Sequence, residues 1–304
     1  MGNDGNHPIA WVESPLQLVA AAEWAAARDE PVDVVIRLTG PQMSRTAEEL
    51  LTRGARFATC APYFGIPWQL LSRHREWAVG DGFSGQFRLA AAVLSPRRLA
   101  LLDDGAQTVT IADALLGRRD YARPGGGESA LLGVLGGLVR DRMLGMAARE
   151  RLEIATTFAL GDERLGLLAD RGIRVTRRQL EWVHRTARPI AVPGRRVLLG
   201  SALTTDGRMS TERYLRWVAT EALDGSLVYL PHRRETPAML RAVSELPGVR
   251  VYETGLPVEL VLAGTREAIE VITLPTSART TLEYLLEGTG STIRTQALAH
   301  EDSR

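Results

Sequence analysis

Four short stretches of this chain bring acids, an imidazole, guanidinium groups and hydroxyls to points where an apolar run gives way to a turn. In Leu99-Ala100-Leu101-Leu102-Asp103-Asp104-Gly105, two carboxylates follow the apolar run and a glycine follows them. A carboxylate at a strand end can take the proton of an attacking hydroxyl, and a neighbouring anion raises its pKa towards a useful value. Asp-Gly is also an ordinary turn sequence, so a capping role competes. A metal role is the weaker option, because no histidine or third acid lies close by.

In Leu227-Val228-Tyr229-Leu230-Pro231-His232-Arg233-Arg234-Glu235, an imidazole and two guanidinium groups stand between a strand pattern and a helix pattern. Cations there suit an anionic ligand, and His232 can donate to a departing phosphate. The competing reading is a solvated basic turn. In Val271-Ile272-Thr273-Leu274-Pro275-Thr276-Ser277-Ala278-Arg279-Thr280-Thr281, hydroxyls gather at a helix start. Thr276 or Ser277 is either a plain N-cap or part of a phosphate cradle. In Gly255-Leu256-Pro257-Val258-Glu259, the acid either complements a helix dipole or grips two ribose hydroxyls. Of the five histidines, only His232 stands in a ligand context; His7 and His300 lie towards the ends, and His74 and His184 in polar helical stretches.

These residues need elements to position them. Apolar strand patterns at Ile9–Val12, Val32–Arg37, Arg56–Thr59, Trp77–Val79 and Leu99–Leu102 alternate with helix patterns at 16–27, Ala47–Leu51 and Ile111–Leu116. RPGGGE marks a loop, after which Ser129–Leu152 reads as one helix with a glycine-rich apolar face. Beyond Ala187-Arg188-Pro189 a second alternation follows. It has strands at Arg195–Leu199, Ser226–Leu230, Val249–Tyr252 and Ile269–Thr273, and helices at Ser210–Ala222, Thr236–Ser244 and Ala278–Glu287. The expected class is α/β, with parallel sheets in two Rossmann-like domains, 1–188 and 189–304, facing each other across a cleft.

Composition limits the function classes. The 304 residues carry a net charge of +1, which disfavours nucleic acid as a partner. There is no lysine, so cationic contacts fall to arginine or protonated histidine. A single cysteine, Cys60, cannot form an intramolecular disulfide, and no signal-peptide pattern opens the chain; a cytoplasmic setting is expected. The glycine-rich helix allows at most peripheral membrane contact, at the inner face. A homodimer is left open. Gly-x-Gly-x-x-Gly is missing after the first strand, where Glu13-Ser14-Pro15 stands, which argues against a dinucleotide-binding oxidoreductase.

The order of the motifs resembles bacterial sialyltransferases, closest to glycosyltransferase family 52 and the bacterial polysialyltransferase group. Those enzymes carry an acidic-acidic-Gly, a His-Pro and a Ser-Ser/Thr motif in this order. Val12-Glu13-Ser14-Pro15-Leu16-Gln17-Leu18 resembles their first strand-to-helix loop, and Gly80-Asp81 also fits. The likeness spans about residues 9 to 290. It implies a GT-B fold and an inverting, metal-independent transfer from a CMP-sugar of the sialic-acid (nonulosonic) type, with no cofactor besides that co-substrate. The acceptor would be a glycan or a small molecule. It implies that Asp103 is the base and His232 assists the leaving CMP. Gly200, Ser201, Arg233, Glu259, Thr276 and Ser277 fall to the donor, and Ser14, Gln17, Asp81 and Asp104 to the substrate side. Two motifs depart from the family: Pro231 precedes the histidine, and the last motif reads Thr-Ser-Ala-Arg. Another activated sugar, or a catalytically silent nucleotide-binding scaffold, is the alternative.

Overall fold

A computed structural model describes residues 7–297 apart from Thr39, Asp104, Ala106 and Gly126. The chain divides into two compact units, Met1–Thr186 and Ala187–Arg304. The first runs β1 (Ile9–Val12), α1 (Pro15–Ala26), β2 (Val32–Arg37), α2 (Pro41–Thr52), β3 (Phe57–Tyr63), α3 (Trp68–Arg73), β4 (Glu76–Val79) and α4 (Gly85–Val93). It continues with β5 (Arg98–Leu102), α5 (Gln107–Leu115), α6 (Ala130–Ala147), β6 (Leu152–Thr156), α7 (Asp162–Asp170), β7 (Ile173–Arg177) and α8 (Glu181–Arg185). The second unit runs β8 (Arg196–Leu199), α9 (Thr211–Leu223), β9 (Leu227–Leu230), α10 (Pro237–Ser244), β10 (Val249–Val251), α11 (Val258–Leu262), β11 (Glu270–Thr273), α12 (Ala278–Leu285) and β12 (Thr292–Thr295).

Among the described residues these strands form two sheets, ordered β3-β2-β1-β4-β5-β6-β7 and β10-β9-β8-β11-β12. Every strand pair in them is parallel. The sequence explains why. β1, β5 and β9 are near-continuous apolar runs, and a parallel strand covered by helices on both faces is buried on both. The fold is therefore mixed α/β, with two parallel, Rossmann-like sheets. The first core gathers Trp11, Trp77, Phe87 and Ile154; the second gathers Leu198, Tyr214, Tyr229 and Ile272.

Strand order reverses between β1 and β4 in the first sheet and between β8 and β11 in the second. Open α/β sheets bind ligands outside the carboxyl ends of their strands, at such reversals. That rule singles out the loops after β1 and β4, and those after β8 and β11.

The expected helix over Ser129–Leu152 is too long. α6 stops at Ala147, and Leu152 opens a buried strand. The turn between them holds Glu150 at φ 55°, a left-handed conformation that no glycine announces. α6 is the longest helix described, and none of the described helices is long and apolar enough to cross a membrane.

Candidate functional site

In the second unit, the residues picked out from sequence gather at one sheet edge. Gly200 and Ser201 follow β8, Pro231–Glu235 follows β9, and Thr276 and Ser277 follow β11; Glu259 lies on α11, after β10. Because all strands are parallel, all four segments leave the carboxyl side of the sheet. A Cβ on Gly200 would lie 2.5 Å from the His232 nitrogen and 2.4 Å from Glu235 Oε2, so only glycine lets the β8 and β9 loops come this close.

His232 is partly buried, and its Nδ1 accepts the Arg234 backbone N–H at 3.2 Å. The ring proton therefore belongs on Nε2. Burial, together with the adjacent Arg233 and Arg234 charges, pulls its pKa down from 6.5 to about 4. At neutral pH His232 is an uncharged donor. Arg234 is committed to Asp206, its Nη1 donating to Oδ2 at 3.3 Å, while Thr205 Oγ1 donates to the Arg234 carbonyl at 2.9 Å. Arg233 is exposed.

Beneath His232 runs a proton-ordered chain that sequence reading missed. The Ser201 N–H donates to the Tyr214 hydroxyl at 3.2 Å, which lies 2.7 Å from the Tyr229 hydroxyl. Tyr229 in turn donates to Glu235 Oε1, and the His232 N–H donates to Glu235 Oε2 at 2.7 Å. Tyr214 and Tyr229 are fully buried, and burial raises the pKa of both phenols and of Glu235. Tyr229 lies inside an apolar strand run and reads as core, which is why the pattern hid it. The Pro-His-Arg-Arg-Glu spacing was the available signal for Glu235, whose carboxylate closes the turn on His232.

Thr276 and Ser277 divide the helix-start role between them. Ser277 holds the capping position of α12 without a side-chain cap bond, and Thr276 Oγ1 accepts the Ala278 N–H at 3.3 Å. Glu259 is buried and accepts the Thr281 hydroxyl at 3.0 Å; burial raises its pKa against that bond.

In the first unit, Asp103 follows β5 and is only 5% exposed. Its Oδ1 accepts the Thr156 hydroxyl at 2.5 Å and the Thr108 hydroxyl at 3.0 Å. Its Oδ2 accepts the Thr157 hydroxyl at 2.7 Å and the Thr157 N–H. A carboxylate has about four lone-pair positions, and these four donors fill them. Burial lifts its pKa above the ordinary carboxylate range, while the four donors pull it down. Asp104 lies outside the described residues.

Ser14 and Gln17 face inward. Ser14 Oγ caps α1 by accepting the Gln17 N–H at 3.3 Å, and Gln17 Oε1 accepts the Glu13 N–H at 2.7 Å. They are 7% and 2% exposed. What they position is Glu13, which sequence reading passed over. Glu13 Oε2 accepts Arg37 Nη1 at 2.9 Å, and its Oε1 accepts the Ser84 hydroxyl at 2.9 Å. Asp81 Oδ1 accepts the Phe83 N–H at 2.9 Å, and its Oδ2 pairs with Arg123. Glu13 and Asp81 thus stand at the β1–β4 reversal, and Asp103 one strand further on.

His74, expected in a polar helical stretch, is a satisfied core histidine. It is 6% exposed and its Nδ1 donates to the His7 carbonyl at 2.7 Å. His184 is exposed on α8. Among the described residues, no three His, Cys, Asp or Glu side chains are grouped as metal ligands. Compared with known proteins, the chain matches no family model and no curated sequence.

Proposed function

We propose that this chain is an inverting glycosyltransferase of GT-B type. In this reading it moves a nonulosonic sugar from a CMP donor to an acceptor hydroxyl. The observation that carries it is the turn after β9 at the carboxyl edge of the second sheet: a neutral imidazole with its ring proton on Nε2, Arg233 next to it in sequence and the loop after β8 packed against it, with Thr276, Ser277 and the start of α12 leaving the same edge of the sheet. Such donors stabilise the negative charge on a departing phosphate by hydrogen bonding, without transferring a proton to it. Gly200 would let the nucleotide backbone approach; Glu259, buried and bonded to the Thr281 hydroxyl, is spent inside the unit and is not offered to a ribose.

In the reaction, the acceptor oxygen attacks the anomeric carbon. The bond from that carbon to the CMP phosphate oxygen breaks, and CMP leaves with the electron pair. The acceptor proton passes to Asp103, which frees a lone pair by releasing Thr108, the longer of its two Oδ1 bonds at 3.0 Å. His232 Nε2–H, Thr276, Ser277 and Arg233 hold the phosphate.

The filled lone pairs of Asp103 favour a second reading, a nucleotide-binding scaffold without turnover. One assay separates the two: CMP release from CMP-N-acetylneuraminic acid, with and without sugar acceptors. Acceptor-dependent release is expected, falling about 100-fold or more in His232→Asn. CMP binding with no release under any acceptor would favour the scaffold.

A further inference from the structure

We infer that the outer face of α4 and α6 is a lipid-docking surface, which lays exposed leucine and valine side chains on an anionic phospholipid layer. This surface is independent of the transferase reading. The sequence of α6 prepares it. The first ten residues of that helix, Ala-Leu-Leu-Gly-Val-Leu-Gly-Gly-Leu-Val, carry no charge. A helix apolar on every side is ordinarily covered on every side. Here one side is covered, by the packing of Gly136, Val139, Met143 and Ala147 into the unit. Leu131, Val134 and Leu138, at i, i+3 and i+7, are 69%, 71% and 44% exposed.

α4 widens the face. A Cβ on Gly85 would lie 3.1 Å from Leu132 Cδ2, Arg88 Nη1 donates to the Leu132 carbonyl at 3.0 Å, and Arg142 Nη1 donates to the Ala91 carbonyl at 2.7 Å. Start meets start and end meets end, so the two helices run parallel and side by side. Leu89 and Val93 follow Gly85 by one turn and two, on the side turned to α6, and are 42% and 63% exposed. Leu138 and Leu131 precede Arg142 by one turn and three, on the side turned to α4. The exposed side chains of both helices thus border one seam. The single charge of α4, on Arg88, is buried beneath it. Of the thirteen large apolar side chains exposed among the described residues, five stand on this helix pair. A surface with nothing to bind rarely gathers them so.

Charge decides what covers it. Arg97 and Arg98 follow α4, and Arg140, Arg142, Arg149 and Arg151 lie at the end of α6 and just beyond it, against only Asp141 and Glu150. The Leu99 N–H donates to the Arg151 carbonyl at 2.9 Å, which brings the two arginine groups together. Leucines beside an arginine cluster suit an anionic lipid surface: the apolar side chains enter the acyl boundary while guanidinium groups meet phosphates. A second copy of the chain would bring the same arginine excess and no surplus of acid to meet it.

The test is co-sedimentation with vesicles of phosphatidylcholine, alone and with about 30% phosphatidylglycerol. It compares wild type with Leu131→Ser/Val134→Ser, Arg97→Gln/Arg98→Gln and Leu223→Ser, the last an exposed leucine of the second unit. Each is checked for an unchanged melting temperature. Wild type and Leu223→Ser should sediment with the anionic vesicles, and binding should weaken as salt rises. Affinity should fall about 10-fold or more in the Leu131/Val134 variant, and about 5-fold for each arginine removed. Equal binding to uncharged vesicles, undiminished binding by either double variant, or no binding to either vesicle would overturn the inference. So would a wild-type dimer in sedimentation velocity that the Leu131/Val134 variant loses, because a second copy would then cover the face.

Discussion

His232 shows how three neighbours set one residue's chemistry. Burial and two flanking guanidinium groups hold its pKa at about 4, and the Arg234 N–H fixes the tautomer. The sign of the pH dependence follows. Between about pH 4 and 6.5 the unfolded chain binds a proton at this ring and the folded chain does not. The stability linked to His232 is therefore full above pH 6.5 and is lost as pH falls towards 4. Urea unfolding of wild type and His232→Asn at several pH values should show the wild-type advantage shrinking on acidification. An advantage flat from pH 7 to 4.5 would refute the assignment. An arriving phosphate should reverse the local logic, since a nearby anion favours the charged ring. Asp103 presents the other side of burial: its carboxyl is raised by desolvation yet fully hydrogen-bonded, so its use as a base depends on a threonine giving way.

At the level of elements, close loop approach is the organising device. Gly200→Ala sets a carbon 2.5 Å from the His232 nitrogen and should separate the β8 and β9 loops. The expected cost is about 1–3 kcal/mol of stability, with CMP affinity lowered more than stability alone would lower it. Gly133→Ala on α6 meets nothing within 4 Å and should be neutral or stabilising by up to about 1 kcal/mol. Calorimetric unfolding of both variants checks the contrast. Much of the strand and helix order was legible, because apolar runs end at Asp-Gly, Pro-His and Pro-Thr punctuation. The segment from Leu152 to Arg185 was not. β6 carries Glu153, paired with Arg174 at 2.8 Å and with Thr176, which breaks the apolar run that would have marked it. β12, Thr-Ile-Arg-Thr, is an edge strand with little apolar content. The site was legible where a motif ended a strand, as at His232 and Thr276. It was hidden where a role depends on a partner far along the chain, as for Glu13 with Ser84 and Tyr214 with Tyr229.

At the level of the whole molecule, two parallel sheets of like topology each carry polar machinery at their carboxyl edge, and the composition supplies only arginine and histidine as cations. The first edge is acidic and balanced by paired arginines; the second is imidazole, guanidinium and hydroxyl. In the proposed reading the edge of the second sheet is the donor side. The donor side can be measured directly by thermal unfolding with CMP, CDP, UDP, GDP and NAD. CMP at about 100 times its dissociation constant should add roughly 2.7 kcal/mol to the stability of wild type, with less in His232→Asn and none from UDP, GDP or NAD. No shift with CMP, or an equal shift with NAD, would contradict a cytidine monophosphate site at His232.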